Sequence, residues 1–144
     1  MTASRYRAVA FVHPDFDALS GAPGLRLSAR GALATVSDAD SVRQAVLLLL
    51  STRPGERVNR PDYGCHLVRL AFAPADDTTA GLAIHYVARA IATWERRITV
   101  LSLDAARAAD EPALLEVRLR YRVRTTRAED ELAVTIPVET GVPR

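Results

Sequence analysis

The run Leu115-Glu116-Val117-Arg118-Leu119-Arg120-Tyr121-Arg122-Val123-Arg124 decides the fold class. Apolar and charged residues alternate without a break, which is the pattern of a strand with one face on a core and the other in water. The alternation returns at Leu132, Val134, Ile136 and Val138, with Pro137 marking an edge or an end. Arg127 to Asp130 makes a polar turn between the two runs. Upstream, Ile98 to Leu103 is β-branched and apolar on both faces, as a central strand would be, and Ala105 to Pro112 reads as a loop. The last third of the chain is therefore expected to be a β-meander.

Two helices precede it. Val42, Ala45, Val46, Leu49 and Leu50 recur at helical spacing, and Leu47 and Leu48 widen the apolar stripe. Ser37 stands where an N-cap would, with Asp38 and Asp40 favoured at the positive end of the helix. Asp76-Asp77-Thr78 caps a second helix, whose apolar face is expected to be Leu82, Ile84, Val87, Ala88 and Ile91 and which runs out near Trp94. Leu67, Leu70 and Ala71 suggest one further helical turn ending near Pro74. Leu25 to Leu33 is a short alternating stretch, with a hairpin at Gly31. Residues 1–24 lack sustained periodicity and read as an extended arm that orders against a neighbour. The expected fold is α+β: two main helices packed on one face of a small, largely antiparallel sheet, helices first and meander last, with the domain spanning 25–144.

Composition bounds the function. A chain of 144 residues suits one domain with a real core. All nineteen basic residues are Arg, and the net charge is +2, too small to imply nucleic acid by itself. The single cysteine, Cys65, forms no internal disulfide and suits a reducing compartment. The longest purely apolar run, Ala45 to Leu50, is too short to span a membrane. Arg5 and Arg7 before Ala8 to Val12 are followed at once by His13-Pro14-Asp15, too soon for a secretory leader. A cytoplasmic protein, built into a particle later, is the expectation.

Between the helices lies Thr52-Arg-Pro-Gly-Glu-Arg-Val-Asn-Arg-Pro-Asp-Tyr-Gly64. Helix connections are usually much shorter. Two prolines, two glycines, three arginines and two carboxylates make this loop stiff and polar, a usual setting for function. Pro54-Gly55 turns the chain as the helix ends, and Gly64 can supply a positive φ. A structural loop pinned by a buried ion pair is equally open.

For hydrolysis of a glycoside, two carboxyl groups about 5 to 10 Å apart are needed. Glu56, Asp62 and Glu95 are the candidates, and nothing in their spacing brings them around a cleft. The arginines beside Glu56 and Glu95 would make either a poor general acid. Cys65 and His66 are adjacent, so on an extended backbone they diverge. His13, His66 and His85 are too scattered for a metal site. No catalytic residue, metal or cofactor is expected. The arginine ladder Arg118, Arg120, Arg122 could line phosphates or meet an acidic protein, or could simply be a solvated face. Its one aromatic, Tyr121, points the other way.

The order Leu48-Leu49, Thr52, Gly55-Glu56-Arg57, Pro61, Tyr63-Gly64-Cys65, then Leu70-Ala71-Phe72-Ala73-Pro74, a helix and Trp94-Glu95-Arg96-Arg97-Ile98 resembles the lysozyme-like baseplate wedge family of contractile phage tails and contractile injection systems. The resemblance covers roughly Leu25 to Val138. It implies a structural assembly protein present in several copies on the sheath-facing side of a sixfold baseplate. Its implied partners are the sheath protein and other wedge proteins, with the spike, hub or inner-tube initiator as further candidates, and neither nucleic acid nor membrane. The family's Glu-Pro-Arg motif after Trp docks on the wedge core bundle. Here Trp94, Glu95 and Arg97 match, while Arg96 replaces the proline and removes its fixed φ. The sheet would accept extended sheath arms by β-augmentation, with Glu131 to Val138 as the presented edge. The implied contacts are Gly55, Glu56, Arg57, Pro61, Tyr63, Gly64, Trp94, Glu95 and Arg97, together with Arg118, Arg120, Arg122, Leu132, Val134 and Ile136. Two other functions stay open on the residues alone: a lysozyme-type cell-wall hydrolase, and a small regulatory adaptor on the same fold.

Overall fold

The computed structural model describes residues 6–12, 24, 25 and 27–139. The fold is α+β, and the chain divides into two compact units, Met1–Leu48 and Leu49–Arg144. Much of the expected arm, residues 1–5 and 13–23, lies outside the described residues.

In the first unit, β1 (Arg7–Val9) pairs antiparallel with β4 (Thr35–Ser37), and β2 (Phe11–Val12) with β3 (Gly24–Leu25). The hairpin expected at Gly31 is present as the Leu27–Leu33 bridge, with Gly31 at φ 78°. The described part of the arm is extended and tied to its own unit. Gln44 accepts the Phe11 N–H at 2.8 Å and donates to the Val9 carbonyl at 2.7 Å. Helix α1 (Asp38–Ser51) begins directly after Ser37, which is itself the last residue of β4. The Asp38 carboxylate accepts from the Tyr6 N–H at 3.2 Å. Val42, Val46 and Leu47 are buried, as are Leu49 and Leu50 at the start of the second unit, as their spacing predicts.

In the second unit, a 3-10 helix (His66–Leu70) buries Leu67 and Leu70. Helix α2 (Asp77–Trp94) follows, with Asp76 as its N-cap accepting from the Thr79 N–H at 2.8 Å. Its buried row is Thr79, Ala83, Val87, Ala90 and Ile91. The expected face is corrected here, because Leu82 and Ala88 are exposed. Small side chains at 79, 83 and 90 let α2 lie close to the sheet on which it packs. No helix among the described residues is long and apolar enough to cross a membrane.

The meander has the order β5-β6-β7: Ile98–Arg107, Leu114–Val123 and Glu129–Pro137. The strand expected to be central, Ile98 to Leu103, is instead part of β5 at the side of the sheet. It runs on to Arg107 through what was expected to be loop. The central strand is β6. Leu115, Val117, Leu119, Tyr121 and Val123 are buried, and Leu119 sits opposite both Leu103 and Leu132. Tyr121 is fully buried, and its hydroxyl donates to Asp130 at 3.2 Å, the residue opposite it in register. The register of β5 slips between Val100 and Ser102, leaving Leu101 as a bulge.

On the exposed face, Arg118 pairs with Glu116, while Arg120 and Arg122 both reach Glu129, at 3.3 and 2.5 Å. Exposed pairs of this kind contribute roughly 0 to 1 kcal/mol each. Leu119→Ala should therefore destabilise the protein by about 2 to 5 kcal/mol, while Arg120→Ala should cost no more than about 1 kcal/mol. Urea unfolding of the two variants checks the contrast.

Candidate functional site

The long loop after α1 is closed at its base and across its middle. The Cys65 N–H donates to the Thr52 carbonyl at 2.9 Å, and the Gly55 N–H to the Pro61 carbonyl at 2.6 Å. Gly64 makes the closure possible. Its φ is +139°, and a Cβ placed on it would lie 2.5 Å from the Thr52 carbonyl oxygen. Glu56 stays local: its carboxylate accepts from the Arg53 N–H at 2.8 Å and its own N–H donates to the Arg53 carbonyl at 3.1 Å. Glu56 closes a turn and Arg57 points elsewhere.

Arg57 lies over the Tyr63 ring, with its guanidinium carbon 4.3 Å from the centroid, a cation–π contact. Tyr63 in turn meets Trp94 edge-on, ring centroids 5.3 Å apart. The Tyr63 phenol is pushed above its ordinary pKa, chiefly by burial, with Arg57, Arg60 and Arg97 opposing and Glu95 adding. Those charges thus share one neighbourhood with the ring. Pro61 is exposed on the loop, and Gly55 sits at φ 90° in its turn.

Trp94 ends α2, and Glu95 is its C-cap, with its N–H bonded to the Ile91 carbonyl at 2.9 Å. Residues two apart on non-helical backbone face the same way, and Arg97 folds back onto Glu95. Its Nε and terminal nitrogen meet the two carboxylate oxygens at 2.7 and 2.8 Å, and its backbone N–H adds a third bond at 3.3 Å. The Glu95 side chain is 7% exposed and that of Arg97 32%. The carboxylate is thus buried and neutralised by a fork-to-fork pair, while the guanidinium keeps a face to solvent. Arg96 in the proline position leaves this pair intact and is itself exposed.

A groove beside the loop is lined by Pro54, Asp62, His66, Tyr86, Arg89 and Trp94 among others. Burial and the nearby Arg69 and Arg89 hold the His66 imidazole below its usual pKa. Cys65 is a small buried residue, as its position suggests. Its thiol reaches the Tyr86 carbonyl at 3.6 Å, and burial pushes its pKa up, away from reactive thiolate. No cluster of three or more metal-ligating side chains occurs among the described residues.

The remaining expected contacts lie on the meander. Arg118, Arg120 and Arg122 are on its exposed face, each engaged by Glu116 or Glu129. Leu132, Val134 and Ile136 are buried, so these three side chains face the core and not a partner. One unusual residue has no signature in the periodicity. Phe72 is 73% exposed and sits at φ 63°.

The model of a family described as baseplate wedge protein gp25 matches residues 36–128. The chain belongs to the baseplate wedge protein gp25 family. The matched region takes in the loop, the Tyr63–Trp94 contact, the Glu95–Arg97 pair and the arginine ladder, and it stops just before β7. A proposed tail lysozyme from Geobacter sulfurreducens is 31% identical, over 74% of this chain and 97% of that one, with a TM-score of 0.65. A chain of the anti-feeding prophage baseplate is 15% identical over 94% of this chain and 89% of that one, with a TM-score of 0.59. A chain of the type VI secretion system baseplate complex is 17% identical over 69% and 93%, with a TM-score of 0.53. At such identities the last two likenesses concern the fold. No curated protein matched the chain.

Two outcomes follow for this gp25-family site. Arg97→Ala leaves the buried Glu95 carboxylate without its counter-charge and should cost about 3 kcal/mol, read by urea unfolding against Arg96→Ala as an exposed control. Gly64→Ala sets a Cβ against the Thr52 carbonyl and should cost more than about 2 kcal/mol. A melting temperature within error of the parent would contradict that.

Proposed function

We propose that this chain is a structural, non-enzymatic wedge subunit of a contractile baseplate, and that it starts the sheath by accepting an extended sheath segment on the rim of β7. Family membership supports the first part. The structural neighbours, which include baseplate chains of contractile systems, support a place in a particle's baseplate beside other baseplate proteins. Two of the three carboxylates that a hydrolase could use are otherwise engaged, Glu95 by Arg97 and Glu56 by the Arg53 N–H. The cluster of Arg57, Tyr63, Trp94, Glu95 and Arg97 is the proposed contact with the wedge core.

The rim of β7 carries the second part. Pro137 accepts from the Phe72 N–H at 2.8 Å, on the side away from β6. Backbone groups alternate sides along a strand, so Ala133 and Thr135 turn their N–H and C=O away from β6 as well. Among the described residues, β7 pairs with β6 alone. The Glu131 N–H is taken by Asp130 at 2.8 Å. The offered rim is thus narrower than the 131–138 expected from sequence, because 72–75 already bonds Pro137 and Glu139. The other outer strand, β5, is kinked by its bulge at Leu101 and held at its end by Arg107, which donates to the Ala75 carbonyl at 2.8 Å. Bulges of this kind discourage strand addition.

Proline at an outward N–H of an edge strand leaves the inner ladder intact. Baseplates carrying Ala133→Pro should therefore assemble yet fail to nucleate sheath in electron micrographs, while Ala105→Pro, at an outward N–H of β5, should nucleate normally. Sheath of normal yield on Ala133→Pro baseplates, or its loss with Ala105→Pro instead, would overturn the assignment to β7.

A further inference from the structure

The segment after the 3-10 helix is held at every step. Ala71 and Ala73 donate to the Val68 and Leu70 carbonyls at 3.1 and 3.0 Å, Phe72 donates to Pro137 at 2.8 Å, and Glu139 donates to Ala73 at 2.8 Å. Pro74 and Glu139 form a parallel bridge. Residues 72–75 thus act as a short parallel strand that fills the end of the β7 rim. Within this clamp Phe72 is forced to φ 63°, in the left-handed region that suits Gly or Asn and is an outlier for a bulky residue. Its ring gains little from the fold in exchange, since the residue is 73% exposed. A residue that is locally disfavoured and contributes little to the core is one whose use is to be sought outside the chain.

The position of Phe72 supplies that use. Its backbone marks the point where the outward groups of β7 cease to be available, one alternation beyond Thr135. We infer that Phe72 is the anchor and stop for the added strand. The occupant is an extended segment of the sheath protein that pairs with Ala133 and Thr135. An apolar side chain of that segment, one position past the Thr135 pairing, packs on the Phe72 ring. The ring then fixes register, which backbone hydrogen bonds alone leave free to slip by two residues. This inference rests on the strand-addition reading and adds to it the side-chain chemistry of the partner.

The test uses the full-length protein and purified sheath protein from the same particle, with binding followed by interferometry. Phe72→Gly and Phe72→Asn both accept the left-handed backbone, so each should melt at or above the parent temperature. Each should bind sheath protein at least about tenfold more weakly, as loss of a buried aromatic anchor does. Phe72→Tyr, which keeps the ring, should bind within about twofold of the parent. If Ala133→Pro abolishes binding while Phe72→Gly and Phe72→Asn bind like the parent, the anchor is overturned and strand addition stands. If Ala133→Pro binds normally, both fall.

Discussion

The second unit depends on one close approach, the Thr52 carbonyl against the backbone at Gly64 and Cys65. A Cβ at residue 64 would stand 2.5 Å from that oxygen, so the chain can close there only through glycine. The closure turns a long polar connection into a fixed platform. Gly55 to Pro61 holds its middle and Cys65 to Thr52 its base. Loops of this length are ordinarily where the chain is least determined. Here the N–H groups of Arg53, Gly55, Glu56, Arg60, Tyr63 and Cys65 all bond within the loop, which holds Arg57 and Tyr63 at a defined place.

What the platform presents is a graded set of charges and rings. Trp94 backs Tyr63, Tyr63 carries Arg57, and the end of α2 delivers Glu95 and Arg97. The Glu95–Arg97 pair is organised before any partner arrives, since the carboxylate takes three bonds from one residue. Proline at residue 96 would stiffen the backbone between them. In this chain the bidentate pair supplies that restraint through side chains. The guanidinium, 32% exposed, keeps a face to solvent while two of its nitrogens hold the carboxylate.

The sequence discloses β6 and β7 almost residue by residue, because burial on one face writes a period of two that little else can produce. It misleads at β5. There Ile98 and Val100 are on one parity and Leu103 and Ala105 on the other, which looks like a strand apolar on both faces. The bulge at Leu101 changes phase between them, so both pairs face the same way on a side strand. In helix α2 the buried row shares only Val87 and Ile91 with the apolar spacing. Large side chains such as Leu82 dominate a pattern, whereas Thr79 and Ala83 are what the packing uses. At the site, the motif residues were legible as a set but their partners were not. Tyr63 meets Trp94 through the fold, and Glu56 bonds a backbone group three residues back. A left-handed phenylalanine leaves no trace in composition or spacing at all.

The arginine ladder bears on kinetics. Arg118, Arg120 and Arg122 are matched by Glu116, Glu129 and Glu131 across the same face, so the sheet projects little net field into solvent. A surface of this kind does not draw a charged segment in from a distance, and encounter proceeds at the slow, unsteered rate. Retention of any partner strand then rests on short-range backbone pairing and side-chain packing rather than on charge.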